Sequence, residues 1–166
     1  MTGSSVINAG SKAKLTVSGA KGTVGYTTSD KKIATISKGV VTGVKTGTAT
    51  ISVTSAETKN YNKATKNFVL QVKPKATTLT SVASKKAGKL TVNWKKNTTT
   101  DRYQIQYSTS SKFAKATKVT VTSNATTTKT VKKLLKKKKY YVRIRSIDRS
   151  GKLYSSWSKT LSVKTK

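Results

Sequence analysis

The sequence predicts an all-β chain folded as two tandem antiparallel β-sandwiches. Three observations carry that reading. Nearly every apolar run has period two, the spacing of a strand with one buried face. Gly and Asn residues punctuate the runs at intervals of about 8–12 residues, leaving short strands, as a sandwich requires. Thr supplies 30 of the 166 residues and Ser 20. β-Branched Thr in particular fits a pleated, half-exposed surface.

In the first half, Leu15 and Val17 alternate with polar neighbours. Ala34 and Ile36 follow, then Ala49, Ile51 and Val53, and Phe68, Leu70 and Val72 close the set. Turns are expected at Ser18-Gly19, Lys38-Gly39, Thr42-Gly43 and Thr46-Gly47. Leu15, Ile36, Ile51 and Leu70 are the expected core of this half. In the second half, Leu90, Val92 and Trp94 form one alternating run, and Tyr103, Ile105 and Tyr107 another. Tyr140, Val142 and Ile144 make a third, and Leu161 and Val163 the last. A slip of one residue would expose each apolar set, so register is strongly specified. Residues 131–136 place apolar side chains at i, i+3 and i+4, but six to nine residues make a marginal helix in water. They read as a loop entering a strand, with a short helical turn as the alternative.

Pro74, the only proline, divides the chain. Its fixed φ and missing N–H suit a stiff connection rather than a central strand. Residues 1–73 and 78–166 are therefore expected to be separate domains, joined by a linker over 74–77. Charge divides at the same place. Residues 1–74 hold 11 Lys against Asp30 and Glu57, a net +9. Residues 75–166 hold 20 Lys and 4 Arg against Asp101 and Asp148, a net +22.

The total of +31 comes with no Cys, no His and only those four side-chain carboxylates. Disulfides, thiolate or imidazole metal sites and histidine acid–base chemistry are thereby excluded. A paired-carboxylate site would need two of four scattered acids to meet. The expectation is no enzyme, no metal and no cofactor. No run approaches the roughly 20 apolar residues of a membrane span, so membrane insertion is not expected. Met1-Thr2-Gly3-Ser4-Ser5 lacks the basic-then-apolar pattern of a signal peptide. Either a signal lies upstream or the protein is not secreted by that route. The sequence ends just after its last strand, as a natural C-terminus would.

The run Thr28-Ser29-Asp30, Ile33-Ala34-Thr35-Ile36, Gly39-Val40-Val41-Thr42-Gly43-Val44 and Gly47-Thr48-Ala49-Thr50-Ile51 resembles the signature of group 2 bacterial Ig-like domains. Tyr26 stands where that family often has Trp. Residues 78–166 resemble a fibronectin type III domain. Trp94 matches its core tryptophan, and Arg102 to Ser108 match its third strand. Leu134 and Tyr140 match its tyrosine corner, in which the hydroxyl bonds back to nearby backbone. Lys137 stands where a turn glycine is common. The pair resembles the Lys- and Thr-rich tandem Ig-like modules of Gram-positive surface and cell-wall proteins. That resemblance implies a secreted, extracellular spacer or adhesion module at the cell surface or in the cell wall. It would form a short rod and bind anionic polymers such as teichoic acids or acidic glycans. Partners would be anionic cell-wall or host polysaccharide, or another surface or virion protein. The alternative is a phage decoration or fibre protein, since phages use the same folds.

Candidate anion-binding residues are Lys132, Lys133, Lys136, Lys137, Lys138, Lys139, Arg143 and Arg145. The lysines make a dense basic run, which also reads as a solvated loop. Arg143 and Arg145 have the parity of an outer sheet face. In the fibronectin type III topology that the resemblance implies, this strand is central in its sheet, so Gln104 and Gln106 should flank them on one side, with Thr160 and Ser162 on the other. Two guanidiniums among amides and hydroxyls can hold phosphate or sulfate; they also simply cover an exposed face. Trp157 and Tyr154 fall near the last turn. There Trp157 either packs over the sandwich end or, beside Lys152 and Lys159, stacks a sugar or base. Lys supplies 31 of the 35 basic residues, whereas base-edge readout relies on Arg, so sequence-specific nucleic-acid binding is not expected. A Lys–Asn isopeptide cross-link would need a buried acid, and Asp30 reads instead as a turn residue.

Overall fold

The structure, a computed structural model, describes residues 2–166, and among these every regular element is a strand. Two compact units divide the chain, Met1–Pro74 and Lys75–Lys166.

The first unit contains β1 (Val6–Asn8), β2 (Lys12–Lys14), β3 (Val24–Thr28), β4 (Ala34–Ser37), β5 (Val40–Gly43), β6 (Gly47–Ser55) and β7 (Ala64–Lys73). One sheet runs β1-β7-β6-β3 and the other β2-β5-β4. All pairs are antiparallel except β1 with β7. Period-two alternation turns Ala49, Ile51 and Val53 inward from β6, where they meet Leu70 and Val72 of β7 and Val41 of β5. Leu15, Ile51 and Leu70 are buried as the alternation predicts, whereas Ile36 is half-buried at the margin of this core. Between β4 and β5 lies a two-residue turn, Lys38-Gly39, with φ of 47° and 76°. Positive φ at both central residues matches the right-handed twist of a hairpin, and glycine adopts it without strain. Asp30 accepts the Lys32 amide at 2.7 Å, as a turn residue should.

The second unit contains β8 (Leu79–Ala83), β9 (Leu90–Trp94), β10 (Arg102–Ser108), β11 (Thr117–Val121), β12 (Thr128–Val131), β13 (Lys139–Ile147) and β14 (Leu161–Lys164). Sheets β11-β10-β13-β14 and β12-β9-β8 enclose one core. Trp94 and Tyr103 meet edge to face there, with ring centroids 5.4 Å apart. Within 74–77, the hydroxyl of buried Thr77 donates to Lys95 O at 2.6 Å. Residues 132–138 form an irregular connection from β12 into β13, without a helical turn. The Leu135 amide donates to the Tyr140 hydroxyl at 3.1 Å, which closes the tyrosine corner. Lys137 has φ of 57°, the left-handed conformation that glycine adopts freely. A side chain there costs about 1–2 kcal/mol.

Two substitutions at this corner should move stability in opposite directions. Tyr140→Phe should destabilise the second unit by about 1 kcal/mol, the worth of one net hydrogen bond. Lys137→Gly should stabilise it by a similar amount, about 1 kcal/mol, by relieving the left-handed backbone. Both Trp residues lie in this unit, so tryptophan fluorescence during urea unfolding reports on it selectively.

Candidate functional site

Strand β13 carries the two arginines. It lies between β10 and β14, so its outward side chains have neighbours on both sides. Gln106 stands opposite Arg143 and Gln104 opposite Arg145, on the flank that the fibronectin type III resemblance implies. Each arginine uses its Nε on that neighbour. Arg143 Nε donates to Gln106 Oε1 at 2.7 Å. Arg145 donates to Gln104 Oε1 through Nε at 3.0 Å and Nη2 at 2.7 Å.

The other flank differs from the sequence reading. Ser162 faces Tyr141, one pair further along the strand. Beyond the β13–β14 ladder the segment 154–158 runs along β13. Its backbone bonds β13 through the Ser155 amide to Ser146 O at 3.0 Å and the Ser158 amide to Ile144 O at 2.8 Å. The hydroxyls of Ser155 and Ser158 accept the amides of Ser146 and Ile144, at 2.9 and 3.1 Å. That four-bond attachment lifts Trp157 over the sheet face. The Arg143 guanidinium lies 4.0 Å from the Phe113 ring centre and 4.5 Å from that of Trp157. Arg145 lies 3.7 Å from Tyr154 and 4.5 Å from Trp157. The result is an alternating ladder, Phe113–Arg143–Trp157–Arg145–Tyr154. Each cation–π contact contributes about 0.5–2 kcal/mol, more as water is excluded. Burial lowers the pKa of both guanidiniums. At Arg145 the Tyr154 phenol opposes this and the like charge on Arg143 adds to it.

Trp157 thus serves the two arginines, not the sandwich end. Gln104 and Gln106 are neutral, so the ladder retains both positive charges. A guanidinium has five N–H donors; Arg143 spends one on glutamine and Arg145 two. The remaining Nη donors are those that would meet an oxyanion.

Asp148 shapes the turn that delivers this segment. It accepts the amides of Lys152 and Leu153, both at 3.0 Å, and the Ser150 hydroxyl. Burial alone would raise its pKa. The Ser150 hydroxyl and the amides of Leu153, Lys152 and Ser150 outweigh burial and hold it below the ordinary carboxylate value. The predicted lysines take simpler positions. Lys132, Lys133, Lys136, Lys137 and Lys138 are exposed in the β12–β13 connection, and Lys139 opens β13 with its ammonium 5.4 Å from the Tyr141 ring. All but Lys139 precede the strand that carries the arginines, and Lys139 stands at its start.

Sequence reasoning missed Phe113 and Tyr154 as partners of the arginines. A signal for Tyr154 was available. Tyr154 and Trp157 are three apart, and so are Ser155 and Ser158. Period three is that of an extended threefold chain, not of a strand. Phe113 offered no such signal, because it reaches Arg143 from the β10–β11 loop.

Four strands facing three, closed over Trp94 and a tyrosine corner, define the second unit as an Ig-like β-sandwich module. A family model described as the fibronectin type III domain matches residues 73–164. That is more than half of the chain, and the chain belongs to this family. A two-domain fibronectin type III segment of chicken tenascin is similar over 93% of this chain and 91% of its own, at 17% identity and a TM-score of 0.65. The fn3 domain of the human collagen α-1(XX) chain is similar over 56% of this chain and 86% of its own, at 22% identity and a TM-score of 0.47. At 17% identity the likeness to the tenascin segment is one of fold. No curated protein matches the chain.

Two outcomes test the ladder and its supporting turn. Trp157→Ala should destabilise the second unit by about 2–3 kcal/mol, combining lost burial with two cation–π contacts. Trp94 remains as the fluorescent reporter. Asp148→Asn tests the turn by pH. With a folded pKa below the unfolded value of about 3.9, Asp148 stabilises the fold fully above that value, and the contribution is lost as pH falls through the folded pKa. Thermal unfolding between pH 5 and pH 2 should therefore show a smaller acid loss in Asp148→Asn than in wild type.

Proposed function

We propose that the protein is a spacer and adhesion module of a bacterial cell surface, held to anionic polymers of the envelope by its second unit. The family consists largely of non-catalytic structural or adhesive modules, which supports the general class. The signature at Ser29 to Ile51 supports a group 2 bacterial Ig-like domain in the first unit, and that combination supports the bacterial surface.

One observation carries the polymer binding. The second unit has a net +22, and its two carboxylate side chains are engaged in local structure. Asp148 holds the 148–153 turn, and Asp101 accepts the Arg149 amide at 3.1 Å. Its sheet arginines take neutral amides as partners. Such a surface attracts polyanions by releasing their counterions, and the attraction falls steeply with salt.

Cosedimentation with purified Gram-positive cell walls tests this reading. Binding at 50 mM salt should weaken by about 100-fold at 200 mM, as four to six engaged charges imply. Walls stripped of their phosphate polymers should retain little protein. Binding that ignores both salt and stripping would overturn the reading.

A further inference from the structure

We propose that one end of the second unit is a built polyphosphate site, formed by three chain segments that the sequence keeps far apart. This rests on the polyanion reading above and gives it a place and a ligand class. The segments are the β8–β9 loop with Lys85, Lys86 and Lys89, the β12–β13 connection with Lys132, Lys133 and Lys136 to Lys138, and the chain around Lys164 and Lys166. Backbone bonds fix them together. The Leu134 amide donates to Gly88 O at 3.0 Å, and the Gly88 amide to Lys166 O at 3.2 Å. The Lys137 amide donates to Thr165 O at 3.1 Å, and the Lys166 amide to Ser84 Oγ at 3.1 Å. Thr165, buried between them, donates its hydroxyl to Leu135 O at 2.6 Å. Of these lysines only Lys89 is half-buried; the rest are exposed.

The cluster is held against electrostatic and conformational cost. Lys139 is paired directly with Lys164 across β13 and β14, and like charges directly opposite are destabilising. Lys133 and Lys137 have φ of 60° and 57°. Glycine would adopt these angles freely, while a lysine costs about 1–2 kcal/mol at each. Lys38 and Lys115, outside the cluster, also have positive φ, of 47° and 48°, so it is the like-charge pair and the shared backbone frame, rather than the strain, that mark this end. The two acids of the unit lie at the other end of β13, next to Ile147. Nine residues of strand separate the ends by roughly 30 Å, well beyond a Debye length of about 8 Å at physiological salt.

Geometry selects the ligand class. The β8–β9 loop caps one sheet, Lys139 and Lys164 end the other, and the β12–β13 connection crosses between them. Facing sheets stand about 10 Å apart, so lysines on both lie near one screening length of a single bound chain. Ammonium groups recognise charge density as points, without the planar fork of arginine. A flexible chain of phosphates can follow all three segments; a rigid duplex would touch fewer. The ligand is therefore a linear phosphate polymer of flexible backbone.

The test uses the whole chain and long-chain inorganic polyphosphate, with duplex DNA and hyaluronate as comparison ligands. The end variant carries Lys85→Ser, Lys86→Ser, Lys132→Ser, Lys133→Gly, Lys136→Ser and Lys137→Gly. A control removes as many exposed lysines elsewhere in the unit: Lys95, Lys96, Lys112, Lys118, Lys129 and Lys152, each to Ser. The end variant should lower the log–log salt slope for polyphosphate by about four, the control by less than about one. Polyphosphate should bind more tightly than hyaluronate or duplex. Equal loss in both variants would overturn the site and leave diffuse polyanion binding standing. Preference for duplex would overturn the ligand class. No binding by wild type at 50 mM salt would overturn the polyanion reading itself. The double variant Lys133→Gly, Lys137→Gly keeps the proposal falsifiable if the larger one misfolds. It should unfold at higher urea and bind polyphosphate more weakly; greater stability with unchanged affinity would overturn the site.

Discussion

The alternation of side chains along β13 is the constraint on which the second unit depends. Inward, Tyr140, Val142 and Ile144 fill the core against Trp94 and Ile105. Outward, Arg143 and Arg145 meet Gln106 and Gln104 on the neighbouring strand. At its start, Tyr140 ties down the connection that bears the lysines. At its end, Ile147 leads into the turn that Asp148 holds. A register shift of one residue would bury both guanidiniums and expose the core set. Burying an unpaired guanidinium costs several kcal/mol. Core and surface therefore enforce the same register, each making the alternative costly.

This double use of one strand explains how much of the unit is legible in sequence. Trp94, Tyr103, Val142 and Ile144 announce themselves because burial and period two coincide. The tyrosine corner is legible because Leu134 and Tyr140 are close in sequence and their geometry is local. Even the odd residue at Lys137 marks a real feature, since the backbone there takes the glycine conformation. Ile36 shows the limit of the rule in the first unit. It has the inward parity of its strand, yet it sits in the small sheet at the margin of the core. Alternation gives the face of a strand and says nothing of how deeply that face is covered.

The outer face was half legible for a related reason. Gln104 and Gln106 follow from outer-face parity together with the strand order that the family resemblance implies. Trp157 does not, because segment 154–158 attaches to β13 by alternate use of backbone and serine hydroxyl rather than as a regular strand. Continuing the β14 ladder backward would set Thr160 opposite Arg143 and Ser158 opposite Arg145, and gives no sign of Trp157. Phe113 was hidden further, since a loop residue acquires its partner only through the fold. The convergence of Lys85, Lys133 and Lys166 is hidden in the same way. Each is one of many lysines in the sequence, and only hydrogen bonds between remote backbones bring them to one end.

Arginine and lysine are used differently in this unit, and the difference follows from their chemistry. The two sheet arginines are planar, weakly hydrated cations, and rings cover their faces while amides take their edges. Lysine in the same places would lose both the stacking and the fork. The lysines at the end of the unit are strongly hydrated point charges on mobile stems, and all but Lys89 remain exposed. Their fixed property is the position of their backbones, while each ammonium keeps its freedom. The ladder thus stiffens a sheet face without surrendering its charge, and the lysine end supplies a mobile charge anchored on a rigid frame. Added salt separates these roles physically. It screens the exposed lysines within a Debye length of about 8 Å at physiological ionic strength. The stacked guanidiniums, held by contact and partly desolvated, are far less sensitive to it.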